Sequence, residues 1–216
     1  MPHDVIDNRD TLLHEVVNKL LPHAEAAHFA VGFFFLSGLK AIARNLENLR
    51  QIRLLIGNTA TRATIEQLAE IHPYRPAIEE YQRAMQFQNA AQRASLLAET
   101  AHKIRERLER MEPTDEDQAL IQQLARLIQE GRLKVRVYTS GRLHAKAYIF
   151  DYPADRYERG VAIVGSSNLS LAGLRDNTEL NVVVHGNANH VQLRQWFDRL
   201  WEAATPFEES LLNELR

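Results

Sequence analysis

The chain has no cysteine, only two tryptophans, and no apolar run approaching the roughly 20 residues of a membrane-spanning helix. Lack of cysteine excludes a disulfide framework, a thiolate metal site and a cysteine nucleophile, and it suits a reducing, cytoplasmic location. The opening MPHDVIDNRD carries acids where a secretory leader would place basic residues, so neither a signal peptide nor a membrane span is expected. An excess of one charge sign is also missing. Lys+Arg 26 against Asp+Glu 28 leave a net charge of −2, which excludes the uniformly basic surface of a non-specific DNA coat. Any anion site must therefore be local. Lysine is scarce too: 5 of the 26 basic residues are lysine, and the remaining arginines have the planar fork that suits phosphate, although genomic composition alone can produce such a bias. One segment, 131–150, is locally basic, with Arg132, Lys134, Arg136, Arg142 and Lys146 and no acid.

At 216 residues the length fits one α/β domain with a real core. Residues 10–21 (DTLLHEVVNKLL) place apolar side chains at helical spacing behind a plausible Asp10 cap. HFAVGFFFLSG (28–38) reads as strand and turn, LKAIARNLENL as the helix that follows, IRLLIG (52–57) as a second strand and TIEQLAEI as its helix. Residues 75–130 contain no strand-like stretch and read as a helical hairpin inserted in the domain. Its first arm carries Leu97, Ala101, Ile104, Leu108 and Met111, Pro113 to Asp115 break it, and ALIQQLARLI begins the second arm. The hairpin can pack on its own domain, form a dimer seam or clamp a substrate. Strands return at 134–139, 145–150, 161–165 and 179–185, with DYPADRYERG as a long hairpin loop. VQLRQWFDRLWEAA closes the domain as a helix whose Leu193, Trp196, Phe197, Leu200 and Trp201 face the core. The expected fold class is α/β: a mixed β-sheet flanked by helices, one domain over 1–216, with the 75–130 insertion within it.

The chemistry concentrates in His144-Ala-Lys146, then Asp151, then Gly165-Ser166-Ser167-Asn168 at the end of the next strand. With this composition each half of the pattern arises by chance only roughly 0.01 to 0.02 times per chain. Strand alternation puts His144, Lys146 and Tyr148 on one face. A histidine and a lysine side by side repel each other in a dry core, and the pair makes sense when an anion sits between them. The Ser166 hydroxyl and the Asn168 amide can donate to that anion. Singly, His144 reads equally as a core histidine, Lys146 as a strand lysine reaching for solvent, and Glu179 as a surface carboxylate. Only the combination points to phosphate chemistry.

The pattern H-x-K-x4-D followed by G-S-x-N resembles the signature of the phospholipase D superfamily. The resemblance implies that His144 is the nucleophile, forming a phosphohistidine, while Lys146, Ser166 and Asn168 hold the non-bridging oxygens. Glu179, 13 residues after Ser166, would orient the nucleophilic imidazole, and Asp151 would be structural or assist the second step. The gap from Asp151 to Gly165 is longer than the family's usual spacing. Arg142 and Arg175 flank the motif as further phosphate contacts. No metal and no cofactor is implied.

The family's mechanism uses two histidines, yet the chain has one H-x-K. A second motif in a longer parent chain or a homodimer would supply the other, and the homodimer is favoured. The opening strands, LHAKAYIF and VGSSNLS are similar to phospholipase D-like modules at the N-termini of bacterial helicase-type ATPases. That likeness implies nucleic acid, DNA foremost, as partner and a C-terminal helicase domain in the parent chain. No Walker motif occurs here. Three functions follow: a metal-independent nuclease of a helicase or restriction-type protein, a catalytically silent DNA- or phosphate-binding module, and a phospholipase. The last needs an exposed apolar membrane-docking face that the sequence does not display.

Overall fold

A computed structural model describes residues 4–32, 36–57, 94–95, 98, 115–141 and 143–214. Eight strands form one sheet: β1 (Val5–Ile6), β2 (Ala26–Val31), β3 (Gln51–Gly57), β4 (Leu133–Tyr138), β5 (Lys146–Asp151), β6 (Gly160–Gly165), β7 (Asn181–Val184) and β8 (Thr205–Pro206). Their order is β1-β7-β6-β5-β2-β3-β4-β8. β2, β3 and β4 are mutually parallel, and all other neighbours are antiparallel. The near-continuous apolar strings of β2, β3 and β5 occupy the middle, where both faces are covered. Two-residue strands close the margins, which leaves little edge for another chain to extend.

Helices cover both faces. On one lie α1 (Leu13–Leu20), α2 (Leu36–Leu46), α3 (Asp115–Gln129) and α5 (Glu208–Glu214), whose Leu13, Val17, Leu39, Leu124 and Leu211 join Phe29, Tyr148 and Phe150 in the larger core. Phe29 sits 5.4 Å from the Tyr148 ring and 6.0 Å from that of Phe150. Burying such a side chain contributes about 1.5–3 kcal/mol. On the other face α4 (Asn187–Glu202) sets Phe197 and Trp201 against Ala30, Leu55, Ala147 and Ile149. The mixed sheet flanked by helices is the architecture expected from the alternation of strand and helix periods.

Several boundaries differ from the sequence expectation. Helix α1 begins at Leu13, and its first amide donates not to Asp10 but to the Asn8 side-chain Oδ1 at 3.0 Å. The Asp10 amide is itself held by Asp7 Oδ1 at 3.1 Å, so Asp10 belongs to the turn before the helix. The apolar run 28–38 reads as strand and turn; pairing with β3 ends the strand at Val31, and Gly38 lies inside helix α2 rather than in the turn. A Cβ on Gly38 would lie 2.5 Å from the Leu169 backbone, so glycine is what allows α2 to pack on that loop. β5 begins at Lys146 rather than 145, β7 spans Asn181–Val184 rather than 179–185, and α4 starts at Asn187. Residues 115–129 of the expected insertion form α3, which brings Leu120, Leu124 and Leu127 into the domain core immediately before β4. TIEQLAEI and the seam from Leu97 to Met111 lie outside the described residues.

Candidate active site

The strand directions bring the motif together. Because β5 runs against β2 and β6 against β5, the carboxyl ends of β2, β3, β4 and β6 share one edge of the sheet with the amino ends of β5 and β7. Lys146, Gly165 and Asn181 are cross-strand neighbours there, a span of roughly 10 Å. His144 lies just before the first of these strands, Ser166 just after the second, and Glu179 just before the third. Four chemistry-bearing side chains thus converge at the carboxyl end of the parallel strands, where open α/β sheets hold their ligands.

His144 is exposed, while Lys146 is 4% exposed and its Nζ donates to the His144 carbonyl at 2.8 Å. The Ser166 hydroxyl donates to Glu179 Oε2 and accepts from the Leu180 amide at 3.0 Å. Asn168 is half-buried in the same loop.

Two residues that the sequence reading assigned no role hold this loop. Asn181, fully buried, donates from its Nδ2 to Ser167 Oγ at 2.9 Å and accepts the Ser167 amide on its Oδ1 at 3.3 Å. Tyr148, also fully buried, donates its hydroxyl to the Ser167 carbonyl at 2.9 Å. Burial pushes the Tyr148 hydroxyl well above the usual phenol range, and the Glu179 charge adds to this, so the proton stays in that bond. Gly165 is obligatory for a steric reason: a Cβ there would collide with Asn181 Oδ1 and the Leu180 carbonyl. Alternation had already placed Tyr148 on the face of Lys146, but nothing in the sequence marks its hydroxyl as the anchor of Ser167.

Asp151 is placed elsewhere. It ends β5 on the opposite edge of the sheet, five residues and roughly 17 Å along the strand from Lys146. There Oδ2 accepts from His28 Nε2 at 2.9 Å and Arg194 Nε at 3.0 Å, and Oδ1 accepts from His190 Nε2 at 2.9 Å. Arg53 donates from Nε to His28 Nδ1 at 2.9 Å and from Nη2 to Asp198 Oδ1 at 2.7 Å. Since guanidinium only donates, His28 accepts on Nδ1 and carries its proton on Nε2, toward Asp151. Burial lowers the His28 pKa to about 4, opposed by its hydrogen bond to Asp151 and by that carboxylate's charge, and reinforced by the arginine charges. For Asp151, burial acts upward, but hydrogen bonds from His190 and His28 and the Arg194 charge hold its carboxyl well below the usual range. Asp151 is therefore the centre of a charged cluster that ties α4 to the sheet.

The basic segment is largely committed to structure. Arg132 donates to the Leu49 carbonyl at 2.6 Å, and Arg136 donates to the Trp201 carbonyl at 2.7 Å with its guanidinium 4.8 Å from the Trp201 ring. Arg175 is exposed and lies 3.6 Å from Asp176. Arg142 is outside the described residues. Among the described residues no group of three or more His, Asp or Glu is arranged to hold a metal ion, and no helix is long and apolar enough to cross a membrane.

The family profile described as "Cardiolipin synthase, PLD-like domain" matches residues 28–201, so the chain belongs to this phospholipase D-like family. Membership supports a phosphodiesterase-type hydrolase as the general class of activity. Among solved structures, the phosphatidylserine synthase of Haemophilus influenzae Rd KW20 is similar in fold, with a TM-score of 0.53 at 13% identity over 96% of this chain and 41% of that one. The phospholipase D family member Nuc from Salmonella typhimurium gives 0.49 at 12% identity over 94% and 95% of the two chains. NucT from Helicobacter pylori gives 0.48 at 12% identity over 96% and 95%. None of the curated proteins compared matches the chain in sequence.

Proposed function

We propose that the chain is a metal-independent phosphodiesterase module that cleaves nucleic acid, DNA foremost, through a phosphohistidine at His144. The observation that carries this reading is the convergence of His144, Lys146, Ser166 and Glu179 at the ends of three adjacent strands. An imidazole nitrogen of His144 attacks phosphorus in line, forming an N–P bond as the P–O bond to the leaving nucleoside breaks. Lys146, Ser166 and Asn168 offset the charge that grows on the non-bridging oxygens, and loss of one such donor costs about 10²–10³ in rate. Glu179, already joined to Ser166 through Oε2, orients the imidazole through its second oxygen.

The leaving oxygen needs a proton that this half-site does not supply. A second copy of the chain, related by a two-fold axis, brings another His144 to donate it. That histidine then takes a proton from water as the water displaces His144 from phosphorus, leaving a phosphate monoester. A helicase-type or restriction-type parent protein suits such a module, which would select where the strand is opened.

The test is incubation of the purified chain with labelled single- and double-stranded DNA in EDTA, beside His144→Ala. Cleavage by wild type alone supports the reading. Cleavage by both sinks the nucleophile, and binding without cleavage by both makes the module a grip for DNA.

A further inference from the structure

The edge of the sheet opposite His144 holds a cavity of about 680 Å³, within the size range of small-molecule sites. Its walls come from the start of β2, the start of β3, the loop after β5 and one side of α4. Arg50, Arg159 and Arg194 line it, together with Glu25, Asp151 and Asp198.

The three carboxylates are already engaged. Asp151 accepts from His28, His190 and Arg194, Asp198 from Arg53 and Arg194, and Glu25 from Arg50 Nη1 at 2.5 Å. The guanidiniums retain capacity. Arg194 uses Nε and Nη1, Arg50 uses Nη1, and Arg159 spends Nη1 on the Ala154 carbonyl at 3.3 Å. Among the described residues Arg159 has no carboxylate within salt-bridge distance. Guanidinium groups donate and never accept, so the surplus here is of charged donors. The lining arginines and acids balance in number, three of each, so the excess lies in the N–H groups that these guanidiniums leave unused. The complementary ligand brings acceptor oxygens and negative charge, and phosphate oxygens match the guanidinium fork. Tyr152, half-buried on the cavity wall, packs against the larger core and carries Arg156 5.3 Å from its ring, which adds a further guanidinium near the rim.

We propose that this cavity is a second site, separate from the His144 edge, that binds a phosphate-bearing ligand of mononucleotide size. The phosphate is that of a free nucleotide or of a nucleotide within a strand. The site works independently of whether His144 performs catalysis.

Titration with AMP, followed by calorimetry, tests the proposal on wild type, Arg159→Glu and His144→Ala. Arg159 is exposed, so its substitution leaves the fold intact, as a matching melting curve verifies. Removing one charge-assisted contact and adding a repulsive charge weakens AMP binding by at least about tenfold in Arg159→Glu. His144→Ala binds AMP as wild type does. A competing oligothymidylate that displaces AMP identifies the strand as the source, and one that leaves AMP bound identifies the free nucleotide. Absence of AMP binding, binding unchanged in Arg159→Glu, or binding lost in His144→Ala overturns the proposal.

Discussion

Lowering the pH from 6.5 to 4 destabilises this fold by about 3 kcal/mol through one buried side chain, His28. The imidazole is 0% exposed, and its pKa falls from 6.5 to about 4 because burial disfavours the cation. Each pKa unit corresponds to about 1.4 kcal/mol, so a gap of about 2.5 units gives about 3 kcal/mol. The folded pKa is the depressed one, so between these limits the unfolded chain binds more protons than the folded chain. Stability therefore rises with pH through this window, is fully present above 6.5, and is lost as the pH falls toward 4. The Asp151 carboxyl, held below its ordinary value of 3.8, adds its own loss only at lower pH. Urea denaturation followed by fluorescence of Trp196 and Trp201 measures the effect at intervals between pH 4 and 7. A His28→Asn variant, which cannot titrate, isolates it: the variant is less stable at pH 7 but loses about 3 kcal/mol less on acidification. Equal pH slopes for the two proteins would refute a neutral buried His28.

Asp151→Asn tests the separation of the two edges. Removing the charge at the centre of a partly buried cluster costs about 3–5 kcal/mol of stability. At low temperature the folded variant keeps its turnover per active site, so thermal melts move far more than initial rates; a large rate loss without destabilisation contradicts the placement. Tyr148→Phe removes the hydroxyl that holds the Ser167 carbonyl and costs about 1 kcal/mol in denaturation. By loosening the Ser166 and Asn168 donors it also lowers kcat/KM by about tenfold, beyond what that loss of folded protein explains. An unchanged kcat/KM rejects a positioning role.

The sheet was legible because β2, β3 and β5 are nearly continuous apolar runs, and because HAK opens and GSSN closes two adjacent strands. Burial of Leu13, Val17, Leu124, Phe197 and Trp201 follows directly from helical spacing. The boundaries that moved are set by partners far along the chain. Asn8 reaches the Leu13 amide while its Nδ2 donates to the Gly173 carbonyl at 3.0 Å, a contact that the local sequence around Asp10 cannot reveal. The convergence of His144, Ser166 and Glu179 could be anticipated from the motif. The location of Asp151 could be anticipated too, since five strand residues separate it from Lys146 by more than any side chain spans. Its ring of His28, His190, Arg53 and Arg194 could not, because those residues come from β2, α4 and β3 and share no spacing rule. Likewise, Arg136 reads only as part of the basic segment 131–150, and its guanidinium lies over Trp201 because the tertiary fold brings α4 across β4.

The most direct test of the central claim is a rapid-quench reaction with a DNA phosphodiester bearing a radioactive phosphate at the cleavable position, run in EDTA on wild type and His144→Ala. The account predicts acid-labile, alkali-stable label on the wild-type protein that maps to His144 and disappears as product forms. Product formation with no labelled protein, or equal labelling of His144→Ala, would contradict it.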